Sequence, residues 1–158
     1  MASGTTEQTQ QVVDHGVIPE LIKLLSSSSS KEVRTQAIWT LGNISGDGAV
    51  FRNLVLQGGA VAPLIKILEE AVSERAENTL KYGTWALSNF CRGKPSPPYE
   101  GIKDALPILA KVIMGQEDLE VLVDALWCLS YLSDSGKQEG IQGVIDTGVV
   151  PYVVQHMT

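Results

Sequence analysis

The sequence predicts an all-α, right-handed superhelical solenoid with three helices per repeat, on three observations. Pro19, Pro63, Pro107 and Pro151 recur at intervals of 44, 44 and 44 residues, in Gly16-Val-Ile-Pro19, Gly59-Ala-Val-Ala-Pro63, Asp104-Ala-Leu-Pro107 and Gly148-Val-Val-Pro151. Every Trp belongs to a second series, Trp39, Trp85 and Trp127, at intervals of 46 and 42. Four residues after each Trp stands a polar residue: Asn43, Asn89 and Tyr131. Two independent series at one period are the signature of an internal repeat.

Each period reads as helices. After the prolines come the apolar-rich segments Glu20–Leu25, Leu64–Leu68 and Ile108–Ile113. Proline is tolerated in a first helical turn, where its missing N–H costs nothing. A connector follows in each unit: the serines Ser26–Ser30, the acidic stretch Glu69–Asn78, and Gly115–Asp118. A longer helix is predicted next, over Lys31–Ser45, Thr79–Cys91 and Leu119–Leu132. In the first of these, Val33, Ala37, Leu41 and Ile44 recur at helical spacing and form the expected buried stripe. A short helix leads to the next Gly, over Ala49–Leu56 and Gln138–Ile145. Pro95-Ser-Pro-Pro98 replaces a tight connector with a rigid loop between the second and third units.

Three helices in about 44 residues with a Gly-x-x-Pro entry is the arithmetic of an armadillo or HEAT solenoid. The chain reads as one solenoid fragment, 1–158, with repeats at about 4–47, 48–93 and 94–135 and a partial repeat at 136–158. Residues 1–3 read as the tail of a preceding unit, so the expectation is a slice of a longer solenoid. The segment from Pro151 lacks its partner helix, so Tyr152, Val153, Val154 and Met157 are expected to face solvent. The short helix around Gln10–Val13 lacks the Trp-bearing helix it would pack on. Uncapped apolar ends of this kind lead us to expect a homo-oligomer, formed by self-association.

Of the 158 residues, 44% are hydrophobic, which argues against disorder. Twelve Lys plus Arg against eighteen Asp plus Glu give a net charge of -6. No basic stripe is visible, which argues against a nucleic-acid partner. No apolar run approaches the ~20 residues that cross a membrane. An acidic surface attracts basic partners. Cys91 and Cys128 are isolated, which points to a reducing, intracellular setting. Neither stands with His15 or His156 in a known nucleophilic arrangement. No Gly-rich phosphate loop and no clustered metal ligands occur, so neither an enzyme nor a cofactor is expected.

Trp39 and Asn43 are four residues apart and share one helix face with Gln36. Trp85 with Asn89, and Trp127 with Tyr131, repeat the arrangement. Equivalent helices of a solenoid line one wall, so the three Trp are expected to form a partly exposed row of slots on its concave side. The Asn side chains form a second row. An Asn amide both donates and accepts, so it holds a peptide backbone whatever its sequence. A Lys stem packs between Trp rings while its ammonium reaches an acid beyond. The competing reading makes a once-per-repeat Trp a core anchor.

At these residues the chain resembles a known family. Ala37-Ile-Trp-Thr-Leu-Gly-Asn-Ile-Ser-Gly-Asp47, Trp85-Ala-Leu-Ser-Asn-Phe-Cys-Arg92 and Trp127-Cys-Leu-Ser-Tyr-Leu-Ser-Asp134 closely resemble importin-α, the adaptor for nuclear localisation signals. The resemblance covers the whole chain and corresponds to the larger signal-binding site. It implies an armadillo fold, a basic localisation-signal peptide of a cargo protein as partner, and residence in cytoplasm and nucleus. It makes Trp39, Trp85 and Trp127 the slots, and Asn43 and Asn89 the backbone binders. Asp47 becomes the carboxylate for the key lysine, in a pocket completed by Ser3, Gly4 and Thr9. Gln36 and Asp124 become secondary contacts, and Tyr131 stands at the third ladder position.

The chain also departs from that pattern. The Trp and Asn that would precede Ser3 are absent, as are the basic arm that binds importin-β and the later units. Tyr82 stands where the family pattern leads us to expect Asn. The alternative function is an armadillo scaffold without signal binding, working through another extended peptide or through self-association.

Overall fold

The computed structural model describes residues 5–28, 30–115, 117–134 and 137–156. Ten α-helices follow one another among them: α1 (Thr6–Asp14), α2 (Val17–Ser27), α3 (Lys31–Gly46), α4 (Ala49–Gln57), α5 (Val61–Glu74), α6 (Glu77–Cys91), α7 (Leu106–Gly115), α8 (Leu119–Ser133), α9 (Gln138–Asp146) and α10 (Val149–His156). Two 3-10 turns, Tyr99–Gly101 and Lys103–Ala105, stand before α7 where a short helix stands in the other units. The long helices α3, α6 and α8 pack side by side, α3 on α6 and α6 on α8. Behind them, α2, α5 and α7 each pack on the long helix of their own unit.

Local chemistry sets the punctuation. Gly16, Gly59 and Gly148 all have φ between 74° and 85°, a left-handed turn that L side chains resist, and each precedes a proline helix. Ser30 caps α3 by accepting from the Val33 N–H at 3.3 Å. Asp118 caps α8 by accepting from the N–H groups of Glu120 and Val121, at 2.9 and 3.3 Å. The core is a continuous apolar layer that includes Leu41, Ile44, Val55, Leu68, Leu87, Leu109 and Ala125.

Four expectations need correction. The acidic stretch from Glu69 is not a connector, because α5 runs on to Glu74 and breaks only at Arg75, whose φ is 54°. Glu69, Glu70 and Glu74 are the exposed face of a helix whose buried face continues to Ala71. The serine tract is shorter as a connector than it reads, since Ser26 and Ser27 belong to α2. Val33 is 42% exposed and not part of the buried stripe, whose members are Ala37, Ile38, Leu41 and Ile44. Val33 instead lines an open groove with Leu21, Leu24 and Thr40. In α10, Tyr152 and Val153 pack partly on the core, whereas Val154 is exposed and Met157 lies outside the described residues. Further apolar exposure lies on α8 and α9, at Leu119, Val123, Leu126, Ile141 and Ile145.

Arg52 of α4 is 0% exposed and faces no carboxylate among its hydrogen-bond partners. Its guanidinium donates to the carbonyls of Arg92 (2.7 Å), Gly93 (3.4 Å) and Pro95 (2.6 Å), and to the Asn53 side chain (3.0 Å). These carbonyls belong to the C-cap of α6 and the loop that follows it, backbone acceptors that need a donor once they are taken out of water. Burial lowers the pKa of this guanidinium. Arg52 thereby fastens the Pro-rich segment to the solenoid. Lys94 ties the same segment to Asp134 beyond α8, at 2.9 Å.

Cys91 and Cys128 are both buried, and burial pushes the Cys128 thiol well above its usual range. A thiol held protonated is a poor nucleophile. Among the described residues no helix alone is long and apolar enough to cross a membrane. Among them, too, no group of three His, Cys, Asp or Glu is placed to hold a metal ion.

Candidate peptide-binding site

The Trp series falls on α3, α6 and α8, the long helices of successive units, with α3 packed on α6 and α6 on α8. Trp39 is 37% exposed, Trp127 is 50% exposed and Trp85 is half-buried. None of the three is fully enclosed, although Trp85 packs partly against the core and so also serves as an anchor between units. Trp127 stacks on Tyr131, with ring centroids 5.4 Å apart and planes at 21°.

Trp85 has a seat on the neighbouring unit that the sequence reading missed. A Cβ built on Gly42 of α3 would come within 2.5 Å of Trp85 Cζ3 and 3.0 Å of Cε3. The ring therefore lies directly on the α3 backbone. A signal for this exists in the sequence: a small residue stands three after each Trp, at Gly42, Ser88 and Ser130. Gly42→Ala is expected to destabilise the chain by about 1–3 kcal/mol, because a packed indole cannot yield half an ångström cheaply. The roughly 1 kcal/mol gain in helix propensity does not offset this. A thermal melt checks it, with Gly46→Ala as control. There an added Cβ would meet Asn89 at an ordinary 3.4 Å.

The second row lies deeper than the Trp row. Asn89 is 5% exposed, with its amide against Gly46 of α3. Asn43 is half-buried, and its Nδ2 is enclosed with no hydrogen-bond partner among the described residues. Asp47 is the C-cap residue of α3, and its Oδ2 is likewise enclosed and unpartnered. Thr9 of α1 is fully buried, with its hydroxyl also unpartnered. Ser3 and Gly4 lie outside the described residues.

Enclosed polar atoms without partners are rare in folded chains, because each costs about 1–3 kcal/mol. Among the described residues five such atoms occur, three of them on Thr9, Asn43 and Asp47 and the other two on Arg34 Nε and Ser45 Oγ of α3. Asp47 is electrostatically misplaced as well. A carboxylate at a helix C-terminus sits among partly negative carbonyls, where a cation would be stabilised.

Gln36 is exposed and lines a groove of about 570 Å³ between α3 and α6, with Thr35, Thr79 and Tyr82. Asp124 is half-buried on α8. Burial first, and then the nearby Glu120 carboxylate, raise its pKa. Lys81 of α6 reaches across to α8, pairing with Asp118 at 3.1 Å and with Glu120 at 3.3 Å.

Comparison with known proteins fits this architecture. The armadillo/beta-catenin-like repeat family matches residues 5–46. Importin subunit alpha-2 of Arabidopsis thaliana is 48% identical over 155 residues, covering 98% of this chain. Importin subunit alpha-1a of Oryza sativa subsp. japonica is 50% identical over the same share. The chain spans 28% of the length of each of these relatives. Among solved structures, a designed armadillo repeat protein in complex with the peptide (KR)4 superposes with a TM-score of 0.82 at 31% identity, over 94% of this chain and 59% of that one. The long tryptophan helices, the glycine-entered proline helices and this identity along nearly the whole sequence together make the chain an armadillo-repeat solenoid similar to one segment of the importin-α relatives.

Proposed function

We propose that this chain is a non-enzymatic module that binds extended, lysine-rich peptides of the nuclear-localisation-signal type along α3, α6 and α8. The observation that carries the reading is the set of enclosed, unpartnered polar atoms on Thr9, Asn43 and Asp47. The Asp47 carboxylate and the carbonyls ending α3 provide a negative site for one lysine ammonium. Asn43 and Asn89 exchange hydrogen bonds with the peptide backbone. Lysine stems lie against the indole faces of Trp39, Trp85 and Trp127. Gln36, Asp124 and Tyr131 add contacts along the same wall. The designed neighbour bound to (KR)4 and the importin-α relatives support this choice of ligand. Traffic between cytoplasm and nucleus belongs to the same reading.

The intrinsic Trp signal tests it directly. Titration with a lysine-rich peptide is expected to change the fluorescence with micromolar or weaker affinity. Raising the salt is expected to weaken binding strongly, since exposed charges more than about 8–10 Å apart are screened at physiological ionic strength. A signal that stays flat to millimolar peptide overturns the proposal. The apolar residues left open at Leu24, Val33, Leu119, Val123 and Leu126 favour a second reading, a scaffold that associates through those faces. A flat titration with chains that associate would put that reading first.

A further inference from the structure

We propose that the wall carries a subsite of a second kind at its α8 end, a groove that takes one aromatic side chain flanking the lysine-rich stretch of the same peptide. The inference rests on the peptide-binding reading above. The groove holds about 380 Å³ between the Pro-rich segment that follows α6 and the end of α8. Pro95, Pro97 and Pro98 line it, with Tyr99, Tyr131 and Leu132. Sites for small ligands start at about 300 Å³ and are mostly apolar, so a single ring fits here. Tyr131 joins the groove to the wall, because the same side chain stacks on Trp127 with ring centroids 5.4 Å apart. At about 3.3–3.6 Å per extended residue, a peptide with a lysine stem against Trp127 reaches the groove within about three residues.

The chemistry changes at this point. Along the wall, Asp47 and Asp124 offer carboxylates. The lining of the groove holds none and includes the cation Lys137. A lysine side chain placed there meets no acid, whereas a ring gains apolar and aromatic contact from the prolines and the two tyrosines. The groove is also built before any ligand arrives. Arg52 donates to the Pro95 carbonyl at 2.6 Å, and Lys94 pairs with Asp134 at 2.9 Å. A Cβ built on Gly143 of α9 would overlap the Tyr99 hydroxyl, so that ring rests directly on the α9 backbone. Walls fixed in advance lose little freedom on binding, so more of the burial appears as affinity.

The test is a set of calorimetric titrations with one lysine-rich peptide flanked by serines, in which a single Phe replaces each flanking serine in turn. One position is expected to bind roughly three- to tenfold more tightly as Phe, since the open groove takes part of the ring out of water. That ratio is expected to hold as added salt weakens both peptides, because apolar burial is not screened. Ser96 lines the groove and is half-buried. Ser96→Glu is expected to erase the Phe advantage, and Ser96→Ala to keep it. A photoreactive benzophenone in place of that Phe is expected to crosslink to residues 95–99 or 131–132 of the unsubstituted chain. Equal affinities at every flanking position, an advantage that survives Ser96→Glu, or crosslinks to the exposed apolar residues Leu119, Val123 and Leu126 overturn the groove assignment alone. A parent peptide that does not bind overturns both this inference and the function it rests on.

Discussion

Asp47→Asn is expected to weaken binding of a lysine-rich peptide by roughly tenfold to a hundredfold, the value of a charge-assisted hydrogen bond in an enclosed site. Glu74→Gln is expected to change it by less than about twofold, because Glu74 is an exposed partner of Lys31. The same Asp47 substitution is expected to leave the melting temperature unchanged or slightly raised. It removes a negative charge from the C-terminal end of α3, where that charge costs about 0.3–1 kcal/mol. Binding lost while stability holds is the behaviour of a residue kept for its ligand. Calorimetric titration and a thermal melt on the same two variants check it. A melt several degrees lower for Asp47→Asn, with affinity unchanged, would assign Asp47 to the fold instead.

The largest loss of stability is expected from Arg52→Met. The substitution leaves the carbonyls of Arg92, Gly93 and Pro95 without the donor that now serves all three. At about 1–3 kcal/mol for each stranded acceptor, the cost is about 3–5 kcal/mol after partial relaxation. For a chain of this size that lowers the melting temperature by about 10 °C. Arg52→Lys is expected to recover little, because one ammonium cannot span the three acceptors that the guanidinium forks across. The Pro-rich segment is expected to exchange its amide hydrogens faster in both variants. A melt within about 2 °C of the parent would show that water replaces the guanidinium without loss.

Much of this architecture is legible in the sequence, because the proline and tryptophan series sit on the two kinds of helix that each unit repeats. The long helices emerge within two residues of their expected bounds. What periodicity hides is what one unit does to the next. Val33 has the spacing of a core residue, yet spacing does not tell which neighbour covers it. Glu69 to Glu74 read as polar connector because the buried side of α5 narrows to Ala71 there. Arg52 stands in an apolar helix without any nearby acid, and its role depends on a loop about 40 residues later. The ladder residues Trp39, Asn43, Trp85 and Asn89 are legible as a series. Their depths are not, and the near-complete burial of Asn89 comes from its fit against Gly46.

The seat of Trp85 on Gly42 also turns the wall into a ruler. Because the indole touches the next backbone, the distance between slots is the distance between stacked helices, roughly 8–10 Å. An extended peptide advances about 3.3–3.6 Å per residue, so successive slots take side chains two to three residues apart. A helical peptide advances about 1.5 Å per residue and would need roughly five to seven residues per interval. The pitch therefore lets an extended chain place an anchor every two to three residues, about twice as densely as a helix could, before any charge is considered. A bulkier residue at position 42 would widen the first interval and leave the second untouched. Such a variant would loosen the fit of the first two anchoring side chains without changing the number of residues between them, because one residue spans about 3.3–3.6 Å.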